Sequence, residues 1–220
     1  MDIWWTRNGP HYGAVLVMLM ITFCFLAAAP HESWTDPVRV ALTGMTLLLT
    51  LSTTPQIHAR VVLTARIFVV AALISSLAAL SAPTDASTGT SAILAALLIS
   101  VMPVVIVIGV KDQPTVSSQS VFGAICIYIL LGLFFAVLYG AIGAIASGSF
   151  FASGVTGTSN EFLYFSFVTM TTTGYGDFTA ASDLGRTLAV TEALLGQLYI
   201  VTVLALIVTR FSGAVRRRER

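Results

Sequence analysis

Thr172-Thr173-Gly174-Tyr175-Gly176-Asp177 is a polar hexapeptide set between two long apolar runs, Val121 to Ile145 and Arg186 to Phe211. Its glycines, at alternate positions, open backbone angles closed to other residues. Upstream, Ser147 to Ser159 is rich in Gly, Ser and Thr and reads as a loop. Thr158-Ser159-Asn160-Glu161 then has the T-x-x-E spacing of a capping box, and Phe162 to Met170 supplies the apolar body of a short helix ending near Thr171. A helix of about 11 residues rises only ~16 Å, too little to cross a bilayer, so in a membrane it enters partway and turns back. Non-helical backbone at that depth is tolerated only where it is buried in protein or lines a cavity.

The whole chain supports a membrane setting. It has 220 residues, is 56% hydrophobic and 10% charged, with a mean hydropathy of +0.91; soluble domains carry about 25% charged residues. Six apolar spans can be drawn: Gly13 to Ala29, Val38 to Thr53, Ala59 to Leu80, Ser91 to Val110, Val121 to Ile145, and Arg186 to Phe211. The second is the weakest, since it is short and carries Thr43, Gly44, Thr46 and Thr50, which suits a helix held by its neighbours better than one facing lipid. Cys24 and Cys126 sit inside apolar runs and read as small hydrophobes, and His11, His31 and His58 share no metal-ligand spacing. With no Ser/His pair, no ligand cluster and no doubled broken helices in the spans, neither an intramembrane enzyme nor a carrier is expected.

Over Val121 to Phe211, the chain resembles the tetrameric potassium channel family, through Thr172 to Asp177, the capped short helix before it and the spans on either side. The resemblance implies an all-α integral membrane protein: six transmembrane helices, a re-entrant pore helix and a selectivity filter, tetrameric around a central pore. It also implies that the carbonyls of Thr172, Thr173, Gly174 and Tyr175, with the Thr172 hydroxyl, take the place of the hydration shell of a potassium ion. Gly176 completes the strand, Tyr175 braces it against the pore helix with Tyr164 and Phe165 as neighbours, and Asp177 stands at the outer mouth. Thr173 departs from the valine common at its position but is also β-branched. Gly196 follows Gly174 by 22 residues, the spacing of a hinge glycine in the family, and reads either as a hinge or as a packing glycine under the pore helix. Below it, Ile200, Leu204, Ile207 and Phe211 recur at helical spacing and are candidates for a cavity face or hydrophobic gate.

In this family the filter faces outward, which puts the C-terminus inside, and six crossings put the N-terminus there too. Nine of the eleven basic residues then fall on the cytoplasmic side: Arg7, Arg60, Arg66, Lys111, Arg210, Arg216, Arg217, Arg218 and Arg220. Arg39 and Arg186 lie outside. That is the positive-inside bias, which played no part in drawing the spans. Trp4, Trp5, Tyr12 and Trp34 flank the first span as interfacial anchors. Pro30, after Ala27-Ala28-Ala29, argues against a cleavable leader.

Residues 1–117 therefore read as a four-helix peripheral membrane domain and 118–220 as a pore domain. Ser91 to Val110 has no arginine ladder, so the peripheral helices are not a voltage sensor. Ser212 to Arg220 is too short for an appended sensor domain, and Arg216-Arg217-Arg218 reads as a stop-transfer run. Gly132, Ala136, Gly140, Ala144 and Gly148 recur at intervals of four, a small-residue face for contact with the pore helix or the sixth span. Glu192, one turn before Gly196, is an ionisable residue within a span. It either bonds behind the filter and lets pH tune conduction or makes a fixed structural bond to a neighbouring threonine.

The expectation is a multi-pass cell-membrane protein with both termini cytoplasmic, conducting potassium passively as a homotetramer among membrane lipids. No cofactor, enzymatic activity or nucleic acid partner is expected, and potassium is the permeant ligand. The alternative is a weakly selective or silent pore-like protein whose outer helices bind lipid or a partner.

Overall fold

A computed structural model of the chain describes residues 12–29, 34–53, 59–81, 97–102, 104–106, 118–145 and 148–218. Among the described residues every regular element is a helix: α1 (Tyr12–Ala28), α2 (Thr35–Ser52), α3 (Ala59–Ser81), α4 (Ser118–Ile145), α5 (Ser159–Met170) and α6 (Asp183–Arg218). Residues 97–102 and 104–106 are also helical; the rest of the expected fourth span, with Pro103, lies outside the described residues, as do Arg7, Lys111, Trp4, Trp5 and the three histidines. Helices α2, α4 and α6 start about three residues before the apolar runs, and α6 does so on a capped end. The Ser182 hydroxyl accepts from the Gly185 amide at 3.1 Å and Asp183 sits in the first turn, so α6 begins three residues before Arg186.

Within α4, Gln119–Ile145 is long and apolar enough to cross a membrane by length and composition; Tyr12–Ala28, Pro37–Ser52 and Val62–Ala78 are shorter apolar helices. At 1.5 Å per residue α1 rises about 25 Å, less than the ~30 Å hydrocarbon core. Polar contacts hold α2 in place. Thr43, Thr46 and Thr50 are buried, the Thr46 hydroxyl lies 3.1 Å from that of Thr22 in α1, and the Thr46 and Thr50 hydroxyls donate back to the carbonyls of Leu42 and Thr46. On its other side Gly44 lets α3 approach until a Cβ there would stand 2.7 Å from a Val69 methyl.

Among the described residues two apolar cores result. The first gathers Tyr12, Val15 and Leu19 of α1, Leu47 and Leu51 of α2, Met102 and Ile106, and Cys126, Leu130 and Leu133 of α4. The second is aromatic and joins Phe135 and Tyr139 of α4, Phe150 and Phe151 of the connecting loop, and Phe162 and Phe165 of α5. Helix α5 lies between them against α1, α4 and α6, so the segment that follows it is held from several sides.

Candidate functional site

The N-terminus of α5 is closed by its own sequence. The Thr158 hydroxyl accepts from the Glu161 amide at 3.3 Å, and the Glu161 carboxylate accepts from the Thr158 amide at 2.6 Å, completing the expected capping box. Between these residues, the Asn160 amide group donates to the carbonyls of Ala27 and Ala29 at 3.4 and 3.3 Å, tying the C-terminal end of α1 to α5. Helix α5 covers 12 residues and stops at Met170.

The backbone then alternates in hand. Thr172, Gly174 and Gly176 have φ of 55°, 58° and 83°, while the residues between them do not have positive φ. A normal strand throws successive carbonyls to opposite sides; alternation between right- and left-handed conformations turns successive peptide groups the same way. Glycine adopts this freely, but a β-branched residue at positive φ is a strained outlier costing on the order of 1–3 kcal/mol. Thr172 is that outlier, and the contacts around it are dense. The amides of Thr173 and Gly174 donate to the Val168 carbonyl at 2.9 and 3.4 Å, the Thr172 amide donates to Thr169 at 2.9 Å, and the Gln197 side chain of α6 donates to the Thr172 hydroxyl at 3.2 Å.

Whereas Thr172 bonds to α6, the side chains of Thr173, Tyr175 and Asp177 turn back toward α5 and the residue that ends it. The Thr173 hydroxyl meets that of Thr171 at 2.8 Å, which gives the extra polar group, relative to valine, a partner. Tyr175 stacks on Tyr164 with ring centroids 6.4 Å apart and planes 10° apart, as expected. Phe165 does not join them: it packs 5.1 Å from Tyr139 in the aromatic core, because adjacent helical residues point about 100° apart. Asp177 is bonded on both oxygens, from the Tyr164 hydroxyl at 2.8 Å and the Phe178 amide at 3.0 Å. Beyond it, Ala152 and Thr179, and Ala181 and Phe150, pair as an antiparallel bridge, so the loop before α5 clamps the segment after the hexapeptide.

Glu192 and Gly196 lie behind this segment. A Cβ at Gly196 would stand 2.7 Å from the Met170 carbonyl oxygen, so α6 touches the backbone at the end of α5. Glu192 is fully buried and bonds to the hydroxyls of Ser166 and Tyr139; neither partner is the threonine expected from sequence. The small-residue face of α4 meets α5: Gly132 opposes Phe167 and Met170, and Gly140 opposes Phe162. Gly143, outside the four-residue register, also receives Phe162, whereas Gly148 lies past the end of α4 with nothing near it. The side chains of Leu204, Ile207 and Phe211 lie outside the described residues.

Every residue from Thr171 to Asp177 is exposed in the single chain. A polar, exposed segment whose backbone alternates in hand can turn successive carbonyls to one side, which would offer oxygen ligands to a hard cation. Against known families, residues 123–213 match the model of a family described as ion channel. None of the curated proteins matches the chain.

Proposed function

We propose, on the footing that residues 123–213 form an ion channel domain, that four copies of the chain assemble around one axis and conduct potassium passively. Thr172 to Gly176 serve as the selectivity filter in this reading. The observation that carries it is the alternation of positive φ at Thr172, Gly174 and Gly176. That alternation is what a row of main-chain carbonyls needs in order to face an axis, and oxygens so arranged can replace the water around a monovalent cation. One strand cannot ring an ion by itself, and the resemblance to the tetrameric potassium channel family sets the number of copies at four.

Potassium passes as substrate along the carbonyls of Thr172, Thr173, Gly174 and Tyr175 and the Thr172 hydroxyl. The negative dipole end of α5 favours a cation waiting at the inner end of the strand. Asp177 adds a carboxylate at the outer end, with the Tyr164 bond holding it back from the axis. Six crossings, cytoplasmic termini and contact with membrane lipid complete the proposal and agree with the distribution of basic residues along the chain.

The test is reconstitution of the full chain in liposomes with outward gradients of potassium or sodium. Potassium flux that barium blocks, well above sodium flux, is the expected result. Equal fluxes of the two ions, or a purified protein that stays monomeric in mild detergent, would refute the proposal.

A further inference from the structure

The buried cluster behind the filter contains one more contact than its hydrogens can serve if Glu192 is ionised. The Tyr139 hydroxyl of α4 donates to Glu192 Oε2 at 2.6 Å. Ser166 Oγ of α5 lies 2.5 Å from Glu192 Oε1 and 2.7 Å from the Gly132 carbonyl oxygen of α4. A serine hydroxyl carries one hydrogen, and a carbonyl can only accept. If Ser166 gives its hydrogen to Glu192, the Gly132 and Ser166 oxygens face each other at bonding distance with nothing between them. If Ser166 gives it to Gly132, the contact to Oε1 needs a hydrogen that only the carboxyl can supply. The second arrangement alone satisfies all three contacts, and each length suits an O–H···O bond. The groups bonded to Glu192 are hydroxyls, and no lysine, arginine or histidine among the described residues pairs with it.

We propose that Glu192 is a positioning residue that works as a neutral carboxylic acid, donating to Ser166 and accepting from Tyr139, and so fixes α5 between α4 and α6. Its effect reaches the filter over two residues. Ser166 precedes Val168, whose carbonyl holds the amides of Thr173 and Gly174. An ionised carboxylate could not do this, because it has no hydrogen to give to one helix while taking one from another.

The inference rests on the filter reading only for its effect on flux, and the protonation state is read separately. In the reconstituted full chain, Glu192→Gln keeps a donor and an acceptor in the same places, and its potassium flux should stay within about twofold of wild type. Glu192→Ala loses both bonds and flux should fall by about tenfold or more, the scale of a buried hydrogen-bonded group left unpaired. Infrared spectra of the wild type should show the C=O stretch of a protonated carboxyl, absent in Glu192→Gln and shifted in Tyr139→Phe. A wild type lacking that band, or Glu192→Gln impaired as severely as Glu192→Ala, overturns the proposal. Should Glu192→Ala fail to assemble, the band decides, and one that Tyr139→Phe leaves unshifted also refutes it. If the band behaves as stated but wild-type liposomes pass no potassium, the conduction reading fails and the neutral acid stands.

Discussion

Replacing Gly196 by alanine tests whether α6 is fixed to the end of α5 by close contact. The added Cβ would stand 2.7 Å from both the Met170 carbonyl oxygen and Met170 Cγ, against an ordinary contact of at least 3.4 Å. Relief requires a movement of about 0.7 Å between the helices. Met170 is fully buried, and its carbonyl is backbone, so no change of rotamer removes the clash. Overpacking of this kind costs about 1–3 kcal/mol, and alanine returns about 1 kcal/mol through helix propensity. The net destabilisation is about 1 kcal/mol per chain, or roughly 4 in a tetramer, provided that the four contacts act alike.

The same displacement would lengthen the 3.2 Å bond from Gln197 to Thr172 by about 0.7 Å, beyond hydrogen-bonding distance. Gly196→Ala should therefore lower both the thermal midpoint of the detergent-purified tetramer and its flux in liposomes. Gly148→Ala, with nothing within 4 Å, is the control and should change neither. Adding Met170→Ala should not restore Gly196→Ala, because the carbonyl obstacle remains. A midpoint equal to or above wild type in Gly196→Ala would refute the contact argument and favour a glycine needed only for bending.

Gly174→Ala and Gly176→Ala meet no atom within 4 Å, so their cost is purely conformational, about 1–2 kcal/mol for a left-handed alanine; tetramers should form while potassium flux is lost. Gln197→Leu removes the donor on the Thr172 hydroxyl and should reduce the potassium-to-sodium flux ratio with little change in tetramer stability, and an unchanged ratio would count against a role at the filter. Tyr164→Phe breaks one exposed bond and Asp177→Ala breaks two, so each should shift the thermal midpoint only slightly. Their effects on sustained flux should be similar and non-additive in the double variant; additive effects would mean the two residues act separately.

The parts of the site readable from sequence are those whose chemistry is local. Thr158 and Glu161 are three residues apart and cap one helix turn, so spacing alone predicts their bonds. The glycines at 174 and 176 announce an unusual backbone because few other residues fit it. Side-chain partners across helices were not readable. Glu192 finds Ser166 at a separation of 26 residues and Tyr139 at 53, and only the packing of α4 against α5 and α6 brings them together. A carboxyl within a span points to some hydrogen-bonding partner without saying which hydroxyl the packing will offer. The small-residue face illustrates the same limit. Its register predicts the contacts of Gly132 and Gly140, but α4 ends at Ile145, and Gly143 takes part because Phe162 is wide enough to cover two positions. Phe150 and Phe151 read as loop residues, yet their aromatic packing and the bridge to Ala180 clamp the segment after the hexapeptide.

A strained threonine persists only where its surroundings over-determine it. Thr172 at φ 55° follows a helix whose start is capped, whose middle is bonded to Glu192 and whose last carbonyl bears on Gly196. Each restraint acts on α5, not on the hexapeptide, which has few packing contacts of its own in one chain. The hexapeptide is therefore shaped in part through α5, by the position of the Val168 and Thr169 carbonyls that receive its amides, beside the direct bond from Gln197 to Thr172. If that is so, variants far from the axis should alter conduction in proportion to how far they move α5. Phe167, which packs edge-on at 4.8 Å against Phe23 of α1, then offers the peripheral helices a route to the filter. Phe23→Ala would loosen that contact without touching any residue of the strand. A change in flux at unchanged tetramer yield would establish the route, and flux equal to wild type would refute it.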